Sequence, residues 1–272
     1  MKQILSFIKT YVIFVLLFVA QKPLFLLLEK SSTAAQTINI WDNMPRVIWH
    51  GLSLDLGMAG YLSVIPGLLL LASIWIRKKL VYPILNIYYG IVAFLGAFLF
   101  VLNLGLYPYW NFPLDSTPLF YFFTSPKDAI ASVSFLYIFL AFLAVLVSAI
   151  GVWFILRVTI RKKPYHSRYM SYGTGSYRGG RRSLYDSDIE RHRLRSSLIL
   201  LVFTALLFLP IRGGVTVSTN NTGKAYFCQD AFLNHAAVNP MFSLFESLSH
   251  QEDFAAQYRY MDDAEADKLF KE

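Results

Sequence analysis

The residues of this chain best suited to chemistry are His50 and Asp55, which bracket Gly51-Leu52-Ser53-Leu54 immediately before an apolar run. An imidazole and a carboxylate are common acid–base groups, and an ionisable side chain beside a membrane span is costly unless a partner or a site uses it. The pair is therefore a candidate contact for a lipid or a substrate. Asp55 could equally accept hydrogen bonds from the first N–H groups of a helix, so a structural role stays open.

Other combinations of residues that carry chemistry are absent from the sequence. No two of the five histidines have the i,i+4 spacing of a helical metal site, and the single cysteine, Cys228, excludes a Cys-rich zinc site. Gly173-Thr174-Gly175 lacks the third glycine of a dinucleotide fingerprint, and no Walker motif occurs. The residues themselves therefore predict no catalytic centre, no metal site and no cofactor in this chain.

Aromatic side chains are concentrated at 105–128, around Tyr109 and Trp110, in a stretch that also contains four prolines. Proline interrupts helices, so a loop is predicted here instead of one long helix. Trp and Tyr favour the headgroup region of a bilayer. We therefore expect this loop at the membrane surface, either as an ordinary aromatic belt or as a wall of a lipid-substrate groove with Tyr109 and Trp110 as contacts.

A basic segment at 157–195 contains eleven Lys or Arg against three acidic residues, with Arg178, Arg181 and Arg182 set among Gly, Ser and Tyr. Similar compositions occur in RNA-binding tails, where arginine and aromatic rings stack on bases. For a short segment between two spans, attraction to anionic inner-leaflet lipid, about 1 kcal/mol per basic residue, is the simpler explanation. We therefore expect membrane lipids, and not nucleic acid, as partners of these arginines.

Hydropathy sets the fold class. Hydrophobic residues make up 56% of the chain and charged residues only 15%, whereas soluble domains have about 25% charged residues. A helix needs about 20 apolar residues to cross a bilayer. Five segments approach or exceed that length and predict an all-α polytopic bundle over residues 1–211, followed by an extracytoplasmic linker at 212–272. The predicted spans are 4–21, 56–76, 80–104, 129–156 and 195–211.

Three residues complicate the spans. Lys9 and Lys22 interrupt the first, and both are expected to snorkel to opposite headgroup layers, with Lys22-Pro23 ending the helix. A cleaved signal peptide is disfavoured, because the apolar run is too long and its break too charged. Pro66 is expected to kink the second span.

The distribution of basic residues predicts the orientation. Lys and Arg are frequent at the N-terminus, in the turn at 77–79 and at 157–195, and rare in the alternate connections. The residues after 211 contain five basic and nine acidic side chains. The positive-inside rule then places the N-terminus inside and the C-terminal tail outside.

The tail carries one clear helix signal. Asn239-Pro240 suits an N-cap followed by the first helical position. Met241, Leu244, Phe245 and Leu248 then follow at i, i+3, i+4 and i+7 and predict one apolar face that is buried. A second, acidic stretch at 253–272 is expected to be helical and solvated.

The order of these features resembles the lipoteichoic acid synthase family, a membrane branch of the sulfatase and alkaline phosphatase superfamily. In that family five spans are followed by an outward linker. The resemblance covers nearly the whole chain, and the linker motif is its most specific part. The residues that carry it are His50-Gly51-Leu52-Ser53-Leu54-Asp55, Leu209-Pro210-Ile211-Arg212-Gly213-Gly214, Ala225-Tyr226-Phe227 and Phe232-Leu233-Asn234-His235-Ala236-Ala237-Val238-Asn239-Pro240.

The resemblance implies a transferase or hydrolase that acts on phospholipid headgroups outside the bacterial cytoplasmic membrane, typically moving phosphoglycerol. It also implies an extracytoplasmic sulfatase-type domain with a threonine nucleophile and a manganese or magnesium ion. That domain is expected to begin where this sequence ends, so no catalytic residue is carried over, and Arg212 joins His50, Asp55, Tyr109 and Trp110 as a candidate lipid contact. The chain is then a membrane-anchor and lipid-presenting module. A non-catalytic membrane scaffold or lipid-sensing protein is the alternative.

Overall fold

The structure, a computed structural model, describes residues 2–31, 39–76, 78–125, 127, 133–160 and 180–250. Within these ranges the chain is helical and has no strand, which confirms the predicted all-α class. Five of its segments are long and apolar enough to cross a membrane, so the chain is a multi-pass membrane protein. The α-helices are α1 Lys2–Leu28, α2 Ile40–Trp75, α3 Lys78–Trp110, α4 Thr117–Thr124, α5 Phe135–Ile160, α6 Gly180–Leu206, α7 Phe208–Arg212, α8 Ala231–Ala237 and α9 Pro240–Ser249.

The first span extends further at its C-terminal end than predicted. α1 continues through Pro23 to Leu28 and does not end at Lys22-Pro23. Proline is tolerated there because neighbouring helices stabilise the interrupted backbone. Lys22 is 2% exposed, so the prediction that it snorkels to the headgroups is wrong. It lies on the same buried stripe as Phe14 and Phe18, which faces the rest of the bundle.

The second span begins much earlier than predicted. α2 starts at Ile40, so Asp55 lies inside the helix and not at its N-terminus. The prediction that Asp55 accepts hydrogen bonds at a helix start is therefore wrong. Residues 40–55 remain helical because one side of them, including Val47 and Leu54, is buried against protein.

Small residues bring the last span close to α2. A Cβ atom at Gly67 would lie 2.6 Å from Oγ1 of Thr204 in α6, and one at Gly60 would lie 2.9 Å from Cγ1 of Ile211 in α7. Glycine permits such approaches between membrane helices, where close van der Waals packing drives association. α2 is thus the central helix, in contact with α1 on one side and with α6 and α7 on another.

α3 pairs with α5 and is longer than predicted. Its last turn includes Pro108, Tyr109 and Trp110, so these two aromatic residues end a helix and do not lie in a loop. The chain then turns at Asn111, which has a positive φ of 56°. The side-chain oxygen of Asn103 accepts a hydrogen bond from the N–H of Leu114 at 2.9 Å, which holds the turn against α3.

The basic segment is only partly a loop. α5 ends at Ile160 and α6 begins at Gly180, so residues 180–195 are helical, whereas 161–179 lie outside the described residues. The fifth span runs from Arg191 to Arg212 across α6 and α7.

Residues 213–250 pack on the end of the bundle where α1 and α3 finish; we call this the tail end. The opposite end, where α2 finishes and α6 carries Arg191, Arg193 and Arg195, is the basic end. The predicted helix start at Asn239-Pro240 is confirmed by α9. Its predicted apolar face is only half correct, because Phe245 and Leu248 are 52% and 39% exposed. α9 contacts the bundle through its first turn, and residues 253–272 lie outside the described residues.

Candidate functional site

A buried ion pair joins α1 and α2 at the tail end. Lys22 Nζ lies 2.5 Å from Asp55 Oδ2, and the two side chains are 3% and 0% exposed. The other carboxylate oxygen, Oδ1, accepts a hydrogen bond from Asn239 Nδ2 at 3.0 Å. Burying two charges is costly, and the attraction between them offsets the cost only when their remaining polar atoms are also bonded. The amide of Asn239 provides that additional bond.

Asn239 has a second role in the same place. Its Oδ1 accepts hydrogen bonds from the N–H groups of Met241 at 3.0 Å and Phe242 at 3.1 Å. Such an N-cap satisfies donors that have no partner within the helix. One amide therefore starts α9 with its oxygen and holds Asp55 with its nitrogen, which ties the tail to the ion pair.

Gly51 allows these parts to meet. A Cβ atom at this position would overlap both the carbonyl oxygen of Ala237 and Cε of Lys22. Because Gly51 and Asp55 are one helical turn apart, they lie on the same face of α2. That face is consequently covered by the lysine on one side and by the end of α8 on the other.

Asn220 forms a second polar link between bundle and tail. Its Oδ1 accepts a hydrogen bond from Oγ of Ser53 at 2.9 Å, and its Nδ2 donates to the carbonyl of Pro210 at 3.0 Å. Lys224 Nζ donates to the carbonyl of Gly213 at 2.6 Å. Gly213 ends α7 with a φ of 91°, a left-handed conformation that favours glycine. These bonds connect α2, the end of α7 and the start of the tail.

His50 and Asp55 do not contact each other, and their role as lipid or substrate contacts stays a prediction. Five residues rotate a helix by about 140°, which separates the two side chains around α2. The His50 ring instead stacks on Phe227, with 4.6 Å between ring centroids and 8° between planes. Arg46 Cζ lies 5.2 Å from the centroid of the same Phe227 ring. His50 is therefore an exposed contact between α2 and the tail.

Tyr107 and His235 form a third contact. The Tyr107 hydroxyl lies 3.2 Å from His235 Nδ1, and the Tyr107 ring packs edge-on against Phe25. Burial lowers the pKa of His235 below its usual value, and the nearby carboxylate of Asp230 partly opposes this shift. The neutral imidazole is the form that this contact favours.

A small cavity lies between the ion pair and this contact. Its volume is about 10 Å³, and Gln21, Lys22, Asn103 and His235 contribute polar groups to its wall. A polar space of this size holds about one water molecule. We call this contact region between the bundle and residues 213–250, centred on Lys22, Asp55 and Asn239, the junction. It is closely packed, with room for a single bridging water beside Lys22.

The structure does not bring the predicted lipid contacts together. Tyr109 is 78% exposed on the last turn of α3, and Trp110 stacks on Phe112 with 5.5 Å between centroids. Arg212 is exposed, and its carbonyl accepts a hydrogen bond from the N–H of Asn220 at 2.8 Å. All of them lie at the tail end, but Trp110 and His50 stack on different aromatic rings.

The predicted inner-leaflet contacts lie wholly or partly outside the described residues. Arg178 lies outside the described residues, and so do the side chains of Arg181 and Arg182, whose backbone belongs to the first turn of α6. Their role as anionic-lipid contacts stays a prediction.

The sequence does not identify Lys22 as the ion-pair partner of Asp55 or Asn220 as a link between the tail and the bundle. For Lys22, the distribution of charged residues contains a usable signal. Asp55 is the single acidic residue between 43 and 114, and Lys22 lies in an apolar run in which no acidic residue precedes Glu29. Two lone opposite charges in consecutive spans are expected to pair. Asn220 has no comparable signal.

The polar groups of this junction form structural contacts that hold the tail on the bundle. Both oxygens of Asp55 are engaged, and the carboxylate is fully buried. Within the part of the chain that the structure describes, no group of three or more His, Cys, Asp or Glu side chains could hold a metal. The manganese or magnesium that the resemblance implies thus finds no ligand set here, and we derive no catalytic step from these residues.

Comparisons of this chain with protein-family models, with curated proteins and with solved structures give no match.

Proposed function

We propose that this chain is the membrane-anchor and lipid-presenting module of a lipoteichoic acid synthase-like transferase, which moves phosphoglycerol or a related group between lipid headgroups. One observation carries the proposal. The resemblance rests on residues 50–55 and on segments between 209 and 240, which are far apart in sequence but meet in the junction. Asp55 bonds Asn239 across 184 residues, and His50 stacks on Phe227.

A module of this kind must hold its tail at a fixed place on the membrane. The buried bond of Asp55 and the half-buried bond of Asn220 fix residues 213–250 on the bundle, so whatever binds this surface is kept at a constant distance from the headgroups. Constant positioning of reacting groups is a large part of catalysis. Exposed aromatic side chains at the same end, Tyr109, Phe120 and Phe123, provide a surface suited to the headgroup layer.

The proposal includes an orientation: the tail end faces outward from a bacterial cytoplasmic membrane. Support comes from the basic residues at the opposite end. Replacing Cys228 by Ser removes the single cysteine, and Val217→Cys, at a position 96% exposed in the tail, then provides a label site. We expect a membrane-impermeant maleimide to label this variant in intact cells. A matched His192→Cys variant at the basic end should react only after permeabilisation, and the reverse pattern overturns the orientation.

The enzymatic part of the proposal needs a separate test. A photo-cross-linking amino acid at Val215, 86% exposed in the tail, is introduced in the native cells, and the adducts are identified by mass spectrometry. We expect a sulfatase-type domain, either in the same polypeptide or as a separate chain. The recovered complex should move fluorescent phosphoglycerol between lipids in vesicles with manganese. Adducts with lipid alone would favour the scaffold or lipid-sensing alternative and reject the transferase.

A further inference from the structure

An open groove lies between α2 and α6 at the basic end, away from the junction. Its volume is about 390 Å³, and its walls are almost entirely apolar. Leu68, Leu71 and Trp75 line it from α2, and Leu194, Leu198 and Leu201 line it from α6. On each helix these residues recur at three- and four-residue spacing, so each wall is one continuous stripe. The groove thus runs along the membrane spans, where lipid chains surround the protein.

The stripe on α6 continues beyond the groove as charge. Arg191 lies three residues before Leu194 and seven before Leu198, on the same helical face and closer to the basic end. Its side chain is exposed. From Arg191 to Leu201 the helix rises about 15 Å. Along one face, therefore, a guanidinium group is followed by leucines that extend into the span.

The mouth of the groove is held by a polar contact. Trp75 Nε1 donates a hydrogen bond to Oγ of Ser197 at 3.0 Å, which joins the last turn of α2 to α6. Indole side chains favour the boundary between headgroups and acyl chains. Arg191 lies six residues before Ser197, on the basic-end side of this bond.

We propose that this groove binds an anionic phospholipid, with one acyl chain between α2 and α6 and the phosphate at Arg191. The order of charge and apolar surface on α6 matches the order of headgroup and chain in such a lipid. Guanidinium groups bind phosphate oxygens through paired hydrogen bonds. The site lies at the opposite end of the bundle from the junction and is independent of the proposed transferase role.

A zwitterionic lipid fits this arrangement less well. Its phosphate could reach Arg191, but its ammonium group is repelled by that side chain. A basic residue near a membrane surface contributes about 1 kcal/mol of attraction to anionic lipid, which is roughly a fivefold change in affinity. The site is therefore expected to prefer phosphatidylglycerol over phosphatidylcholine.

The chain offers a matched control two residues away. Arg193 carries the same charge on the same helix but points to roughly the opposite side from Arg191, since each residue rotates the helix by about 100°. Removing either charge changes the net charge equally. Only the loss of Arg191 should remove a phosphate contact in the groove.

Native mass spectrometry of the full 272-residue chain in detergent, titrated with phosphatidylglycerol or phosphatidylcholine, tests the site. We expect Arg191→Gln to weaken phosphatidylglycerol binding about fivefold, Arg191→Lys to retain most of it, and Arg193→Gln to leave it unchanged. Leu198→Trp should displace the acyl chain by filling the groove, and Ala72→Leu fills it from the other wall in case the first variant folds poorly.

Three results overturn the proposal. Equal losses for Arg193→Gln and Arg191→Gln would mean diffuse attraction to a basic surface. Unchanged binding in a folded Leu198→Trp or Ala72→Leu variant would mean that no chain occupies the groove. Equal affinity for phosphatidylcholine would remove the role of Arg191. Circular dichroism of each variant shows whether its helices are intact.

Discussion

α2 and α5 are both apolar membrane spans, but they are built for different neighbours. Half of the residues in the most apolar part of α2, 50%, are buried inside the protein, against 11% for α5. α5 buries only Val145, Ala149 and Leu156 and presents most of its other side chains outward. α2 buries glycines and Asp55 as well as leucines. One helix is packed by protein and the other mainly by lipid.

The difference shows which residues position a helix within a membrane bundle. Leucine on a helix surface packs against lipid as favourably as against protein, so hydropathy does not determine which of the two a helix face contacts. Polar groups do: Ser148 of α5 bonds the carbonyl of Ala144 in its own helix, whereas Ser53 of α2 bonds Asn220 in the tail. Small and polar residues therefore define the tail end, whereas the polar bonds of α5 to other helices lie away from it: Trp153 Nε1 donates to the carbonyl of Asn86 in α3 at 3.3 Å, and Thr159 Oγ1 lies 3.4 Å from Oγ1 of Thr10 in α1.

Removing one member of the ion pair should change the stability of the protein most. Asp55→Ala leaves Lys22 buried without its counter-charge, and the loss of one partner of a buried pair costs about 3–5 kcal/mol. Equilibrium unfolding in mixed micelles measures the change in free energy of unfolding. Ile150→Ala in α5, at a position 61% exposed, should change it by far less.

The double variant Lys22→Met with Asp55→Leu separates charge from packing. Replacing a buried pair by apolar residues of similar volume is often neutral. The double variant should thus recover much of the stability that Asp55→Ala loses. Equal instability of the single and double variants would show that the ion pair is not what the site requires.

Asn239→Ala is expected to have the next largest effect. It removes an N-cap, about 0.5–2 kcal/mol, and a hydrogen bond to a charged group, about 1.5–3 kcal/mol. Asp230→Ala removes only the N-cap of α8, through its bond to the N–H of Leu233. The free energies of unfolding of the two variants should therefore differ, and a loss no larger for Asn239→Ala than for Asp230→Ala would contradict the dual role.

One glycine in α2 and one in α5 provide a further test of how closely each helix is packed by protein. Gly51→Ala places a methyl group against Ala237 and Lys22, and such overpacking costs about 1–3 kcal/mol. Gly151 of α5 has no atom within 4 Å of a Cβ built on it, so Gly151→Ala should be neutral or stabilising. Thermal unfolding of both variants measures the contrast, and equal shifts would mean that the junction yields to the added methyl.

The sequence identifies the spans better than their ends. An apolar run of about 20 residues has few alternatives to a membrane helix, so all five spans are found. Their ends extend beyond the apolar runs, because Lys22 forms an ion pair with Asp55 and residues 40–55 pack against the tail. Those stabilising contacts join residues up to 184 positions apart. No local pattern contains them.

The site follows the same rule. The N-cap at Asn239 is local and is predicted correctly. Its bond to Asp55, the stacking of His50 on Phe227 and the bonds of Asn220 all depend on how the tail returns to the bundle. The periodicity of α9 also misleads, because Phe245 and Leu248 fit an apolar face that the short contact with the bundle does not cover.

The smallest expected effect is a pH response confined to the tail end. Burial holds the pKa of His235 below its ordinary 6.5 in the folded protein, with Asp230 opposing and the Tyr107 hydroxyl in contact. Below about pH 6.5 the unfolded chain therefore binds more protons than the folded one, and stability falls as the pH falls towards the folded-state pKa. Hydrogen exchange, corrected for its intrinsic pH dependence, should show weaker protection of α8 at pH 5.5 than at pH 7.5, with α5 unchanged. His235→Gln should abolish this difference, and an equal loss of protection in both helices would assign it to the whole bundle.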